Sequence, residues 1–187
     1  IHLAGKYMRD NNTTMYYTLI DKADKRREDI PIIVDSKLAK EMSEQNKDNF
    51  ISIFEKYQDA ISNTKTFYKN SIFYHATQGK VTELVSLVDS AYKKYPYDYD
   101  FVFFKANLDY TLTRNFDSTI EILEKYTANN YSPRALDYLQ TLYVGTSNWE
   151  KWRGAYDILL AYEPAEASYY YEMAQKYNQT MDYELAI

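Results

Sequence analysis

Two histidines, His2 and His75, are the only imidazoles this 187-residue chain offers to acid–base chemistry or a metal. More than a third of the chain separates them, so they form neither the i, i+4 pair of a helical zinc site nor a cluster. The chain has no Cys, which removes thiol nucleophiles, disulfide frameworks and thiolate metal sites. No Gly-x-Ser-x-Gly elbow presents a serine nucleophile. Gly79-Lys80 lacks the Gly-rich loop that cradles phosphates, and it follows a helical pattern rather than a strand. Carboxylate pairs such as Glu121 with Glu124 and Glu163 with Glu166 sit at helical spacing, where they read as solvated faces. These residues predict a non-enzyme with no catalytic residue, no metal site and no cofactor.

Composition narrows the partners. Lys and Arg total 22 against 27 Asp and Glu, a net charge of −5, which argues against a nucleic-acid binder that neutralises phosphates. No apolar run reaches the ~20 residues of a transmembrane helix, so no membrane span is expected within this chain. It opens on Ile1 without Met and without a signal-peptide pattern, from which a processed or omitted upstream segment is expected. The absence of Cys leans slightly towards an exported or cell-envelope setting over a cytoplasmic one, but fixes no compartment. With 4 Gly and 4 Pro there is too little turn chemistry for a β-sandwich or barrel. Helices are the expectation.

Apolar periodicity bears this out along the chain. Leu84, Val85, Leu87, Val88, Ala91, Tyr92 and Tyr95 form one stripe ended by Pro96; Phe101, Phe104, Leu108 and Leu112 form another. Further stripes run through Ile120–Tyr126, Ala135–Tyr143, Ala155–Tyr162 and Tyr169–Tyr177. Ser132-Pro133 is a helix opening, with Ser as cap and Pro in the first turn. Val81, Phe116, Trp149 and Tyr183 lie 35, 33 and 34 residues apart, each with a bulky apolar residue thirteen positions earlier (Tyr68, Phe103, Leu136, Tyr170). His75, Tyr110, Tyr143 and Tyr177 share another register six positions before them, so His75 reads as a packing residue.

In this register residues 65–187 resemble tetratricopeptide repeats (TPR). Tyr177-Asn178-Gln179-Thr180-Met181-Asp182-Tyr183-Glu184-Leu185-Ala186-Ile187 is similar to that family's Tyr, three residues, Gly, one residue, Tyr and then Ala, with Met181 where Gly is usual. Gly79 keeps the interhelical glycine, whereas Arg114 and Ser147 replace it. Ile72, Asn107 and Gln140 stand where a small residue is usual, and only Ala174 keeps it. Looser, more variable helix crossings are expected from these departures. The resemblance implies an all-α, right-handed α-solenoid of antiparallel helix-turn-helix hairpins, with repeats at 65–98, 100–132, 133–166 and, incomplete, 167–187. Residues 1–64 read as an N-terminal helical segment of one or two diverged repeats. There Met15–Ala23 and 36–46 are expected to be helical, Asn49–Ala60 to be a second helix, and Asp29–Asp35 an extended connector around Pro31. His2 is expected at a frayed end.

In that family the first helix of each hairpin lines a concave groove. The resemblance therefore implies that Lys69, Asn70, Phe73, Phe101, Phe104, Lys105, Leu108, Arg134, Asp137, Tyr138, Thr141, Tyr171 and Gln175 face a partner protein or peptide. Phe101, Phe104 and Leu108 would form an apolar strip that is either a peptide pocket or a covered seat. The dicarboxylate clamp of some TPR proteins is disfavoured, because Phe73, Phe101 and Phe104 stand where its polar groups would be. The 22 Tyr are expected to fill interhelical seams with their hydroxyls towards water, some of them also lining the groove. Self-association is a further expectation, through the incomplete repeat ending at Met181–Ile187. Rival readings are a glycan-binding scaffold of the cell envelope or exopolysaccharide assembly, and a helical-repeat RNA binder. Trp149 and Trp152 fall at the helix-crossing seam, which favours packing over sugar stacking, and the acidic charge opposes RNA.

Overall fold

The computed structural model describes the backbone of residues 2–24, 30–62 and 64–179. These are helical throughout, with short joints: α1 His2–Arg9, α2 Thr13–Asp24, α3 Pro31–Ser43, α4 Lys47–Tyr57 followed by a 3-10 turn at Gln58–Ile61, α5 Lys65–Thr77, α6 Val81–Lys94, α7 Tyr99–Thr113, α8 Phe116–Thr127, α9 Pro133–Gly145, α10 Trp149–Tyr162 and α11 Ala167–Gln179. The first helices of successive pairs begin at Pro31, Lys65, Tyr99, Pro133 and Ala167, each 34 residues after the last. Val81, Phe116 and Trp149, the aligned residues of the sequence, open α6, α8 and α10.

The joints explain the period. Asn11, Gln45, Gly79, Arg114 and Ser147 all have positive φ, between 55 and 67°, so each pair turns through one left-handed residue. At four joints the next amide reaches back five residues to close the preceding helix: Asn12 to the carbonyl of Tyr7, Asn46 to Glu41, Lys80 to His75 and Asn148 to Tyr143, at 2.8–3.1 Å. Four of the following residues are Asn, and each caps the next helix. The Oδ1 atoms of Asn12, Asn46, Asn115 and Asn148 accept from the amides of Met15, Asn49, Asp117 and Lys151. Each cap contributes about 1 kcal/mol. Arg114 and Ser147 thus adopt the same left-handed conformation as Gly79.

Residues 30–35 differ from their expected form. Pro31 opens α3, with Ile30 as its N-cap at φ −72°, ψ 127°. Proline does force its predecessor to be extended, but an extended residue followed by Pro is also how a helix begins. Residues 30–35 are therefore a cap and a first turn, and Asp29 lies outside the described residues. α1 likewise replaces the frayed end expected around His2. Residues 180–187, with the incomplete repeat and its expected self-association, lie outside the described residues.

The chain divides into two compact units, 1–90 and 91–187, the division falling within α6. In the first, Val34, Leu38, Phe50, Phe54, Tyr57 and Ile61 form the buried cluster, with Phe67, Phe73 and Tyr74 against it. Ile20 and Ile33 join α2 to α3. In the second, Val102 and Ala106 of α7, Ile120 and Leu123 of α8, Leu136, Leu139, Leu142 and Tyr143 of α9, and Trp152, Ala155, Tyr156 and Leu159 of α10 make one core. Stacking of neighbouring pairs buries faces that no single pair could cover.

Candidate functional site

In the first unit the residues expected at the groove are engaged in seams. Asn70 is buried, its Nδ2 donating to the carbonyl of Thr66 at 3.0 Å, and its side chain also bonds Asp35. Burial raises the Asp35 carboxyl, with Asn70 and the half-buried Lys69 pulling the other way. Phe73 meets Phe50 edge-on at 4.8 Å. His75 is half-buried beside Tyr74, and its Nδ1 has no hydrogen-bond partner among the described residues. Burial and the Lys80 charge lower its pKa, against Glu83.

In the second unit Phe101 is fully buried, stacked on Tyr95 at 5.2 Å and edge-on to Phe104. The Phe101 end of the apolar strip is therefore a covered seat. Phe104, Lys105 and Leu108 are half-buried. Arg134 is exposed, 3.6 Å from Asp100 and over the Tyr99 ring at 4.6 Å. Tyr138 donates its hydroxyl to Asn107 Oδ1 at 3.0 Å, a bond between α9 and α7.

Three of the expected residues converge elsewhere. Asp137 and Thr141 of α9 and Gln175 of α11 line a depression of about 340 Å³, together with Gln140, Val144, Glu172, Lys176 and Gln179 of the same two helices. Trp152 and Tyr156 of α10, both buried, form its base. Tyr171, mostly exposed, accepts a hydrogen bond from Gln175 Nε2 at 2.7 Å, which holds that amide one turn along α11. Helical spacing explains the set: positions 137, 140, 141 and 144 recur on one face of α9, and 172, 175, 176 and 179 on one face of α11.

Carboxylates outnumber cations in this lining, Asp137 and Glu172 against Lys176. The Tyr156 hydroxyl donates to Glu172 Oε2 at 2.8 Å. Burial first, then the charges of Glu172 and Asp137, push that phenol far above its ordinary range. Both carboxylates therefore stand near one neutral hydroxyl. Lys176 is the single cation of the lining; its ammonium lies 5.7 Å over the Trp149 ring and 3.4 Å from Gln179 Oε1. Gln140 is the residue whose importance the sequence concealed. It is only 6% exposed, yet its Nε2 has no hydrogen-bond partner among the described residues. Its one sequence signal is a large polar side chain where the resembled family has a small one. No group of three or more metal-ligating side chains occurs among the described residues.

Elsewhere four tyrosines bond to carboxylates of other elements. Tyr74 donates to Glu55, Tyr143 to Glu124, and both Tyr131 and Tyr169 to Glu163, at 2.6–3.0 Å. Trp152 is buried at the seam as expected. Trp149 is 41% exposed instead, at the opening of α10, with Trp152 and the Lys176 ammonium against it.

No model of a known protein family matches the chain, and no curated protein does. Solved structures match it well. The pilF protein of Pseudomonas aeruginosa superposes with a TM-score of 0.72 at 14% identity, over 99% of this chain and 84% of that one. A tetratricopeptide repeat protein of Parabacteroides merdae gives 0.62 at 12% identity, over 96% and 72%. TTC0263, a thermophilic TPR protein of Thermus thermophilus, gives 0.59 at 13%, over 90% and 92%. With the 34-residue helix spacing, this likeness identifies the fold as all-α and of the TPR-like α-solenoid class, built of antiparallel helix-turn-helix hairpins.

Proposed function

We propose that the chain is a non-catalytic protein-interaction scaffold that holds a segment of a partner protein along the first-helix face of α9 and α11. The observation that carries this reading is the depression between these helices. It has a buried aromatic base, exposed polar walls at Asp137, Thr141 and Gln175, and a Gln140 Nε2 without a partner among the described residues. An extended segment supplies what such a surface lacks, namely main-chain donors and acceptors at regular intervals together with side chains for the hollow.

Thr141 is exposed in this wall, so Thr141→Arg fills the hollow without touching the core. Segments selected from a randomised nonapeptide display library on the whole chain should bind the wild type and lose most of their affinity for the variant. Circular dichroism of the variant should remain that of a folded helical protein. Undiminished binding to the folded variant would contradict the reading.

A further inference from the structure

We infer that the α9–α11 depression takes a cationic side chain, arginine or lysine, from an extended partner segment, with Asp137 and Glu172 as counter-charges and the Gln140 amide on the adjoining main-chain carbonyl. The inference rests on the partner-segment reading and names the chemistry of the segment.

Several features point the same way. Gln140 is more than nine-tenths buried, lines the hollow, and has no acceptor for Nε2 among the described residues. A buried donor left unpaired is costly, and a ligand carbonyl is the group that satisfies it. The terminal torsion of a glutamine side chain is broad, so the amide can turn into the hollow without moving α9. Among the described residues Glu172 accepts a hydrogen bond from Tyr156 at Oε2 alone, which leaves its other oxygen for a ligand, and Asp137 is exposed in the same wall. Two carboxylates against the one lining ammonium, itself set over Trp149, favour a cation over an anion. The buried rings of Trp152 and Tyr156 suit the methylene stem that long cationic side chains lay on apolar surface while the charge stays at the polar rim. Residues 97–187 carry 7 basic and 14 acidic groups, a field that draws basic segments towards this unit. The hollow, about 340 Å³, is at the small end of ligand pockets. It has room for one side chain and its flanking peptide, not for a folded surface.

The test uses the whole chain and the same nonapeptide library. Arg or Lys should be enriched at one position of the selected segments, and an Arg-to-citrulline exchange there should weaken binding about tenfold. Asp137→Asn with Glu172→Gln should weaken the Arg segment by a similar factor and leave the citrulline segment unchanged. Gln140→Met should weaken both segments. The side-chain amide resonances of Gln140 and Gln175 report whether a segment occupies this face. Segments that shift these resonances without preferring Lys or Arg would overturn the cationic assignment and leave the partner-segment reading standing. If no segment shifts them, both fail.

Discussion

Tyr143 of α9 donates its hydroxyl to Glu124 Oε1 of α8 at 2.7 Å, and the Lys151 ammonium of α10 reaches the same oxygen at 2.7 Å. One carboxylate thus joins three consecutive helices. Tyr74 makes the corresponding bond to Glu55, again 19 residues upstream. Both bonds join the second helix of one pair to the first helix of the next.

Removing the Tyr143 hydroxyl should cost stability in proportion to one hydrogen bond to a charged group. Tyr143→Phe is expected to lose about 1.5 kcal/mol. Crossed with Glu124→Gln in a double-mutant cycle, it should show coupling on the order of 1 kcal/mol. Additive losses in urea unfolding would show that the bond contributes nothing.

Acid should weaken the same link. Burial raises the Glu124 carboxyl, but the hydrogen bonds from Lys151 and Tyr143 and the Lys151 charge outweigh it, so its pKa lies below the ordinary value. A carboxyl depressed on folding stabilises the fold above its unfolded pKa, near 4.3, and loses that contribution as pH falls through the folded value. The pH dependence of unfolding should therefore be shallower below this point in Glu124→Gln than in the wild type. Identical slopes would refute the assignment.

His75 should respond to pH in the same direction for a different reason. Its pKa is lowered by burial and by Lys80, so the fold favours the neutral ring. Stability from this group is complete above about 6.5, the unfolded value, and is lost as pH falls towards the folded one. An NMR titration of the imidazole should give a midpoint below 6.5. A midpoint at or above it would mean that the ring is solvated or paired.

The joints offer a test of backbone strain. Gly79 has φ 67° with open space where a Cβ would stand, so Gly79→Ala is expected to lose about 1 kcal/mol through conformation alone. Ser147, at φ 55° and exposed, should gain about 0.5 kcal/mol as Ser147→Gly, the relief of the left-handed cost being partly offset by a more flexible unfolded chain. Thermal unfolding of the two variants should move in opposite directions.

The helix starts were legible because they depend on local signals. Val81, Phe116 and Trp149 could be aligned by period, and Ser132-Pro133 by cap chemistry. The Asn that follows the left-handed residue at four joints was equally visible, although its capping role emerged only from the bonds it makes. Pro31 was ambiguous for a physical reason, since an extended predecessor suits both a connector and an N-cap. The site was harder to read. Asp137, Thr141 and Gln175 followed from helix phase, but Phe101 and Gln140 depended on what covers them, which no single-helix pattern encodes. The hydroxyl partners of Tyr74 and Tyr143 lie on other helices, so their bonds to Glu55 and Glu124 required the packed structure.

Replacing Gln140 separates packing from binding. Gln140→Met removes an unpaired buried amide and keeps the side-chain length, so the fold should gain about 1 kcal/mol. A loss of stability would mean that the amide is satisfied within the fold.

The most direct measurement places a photo-reactive phenylalanine at Thr141, and separately at Asp157, both of which are exposed. Each chain is then irradiated with a display-selected segment. Cross-linking from position 141 and not from position 157 is the expected result. Cross-linking from 157, or from neither position, would contradict the assignment of partner binding to the α9–α11 face.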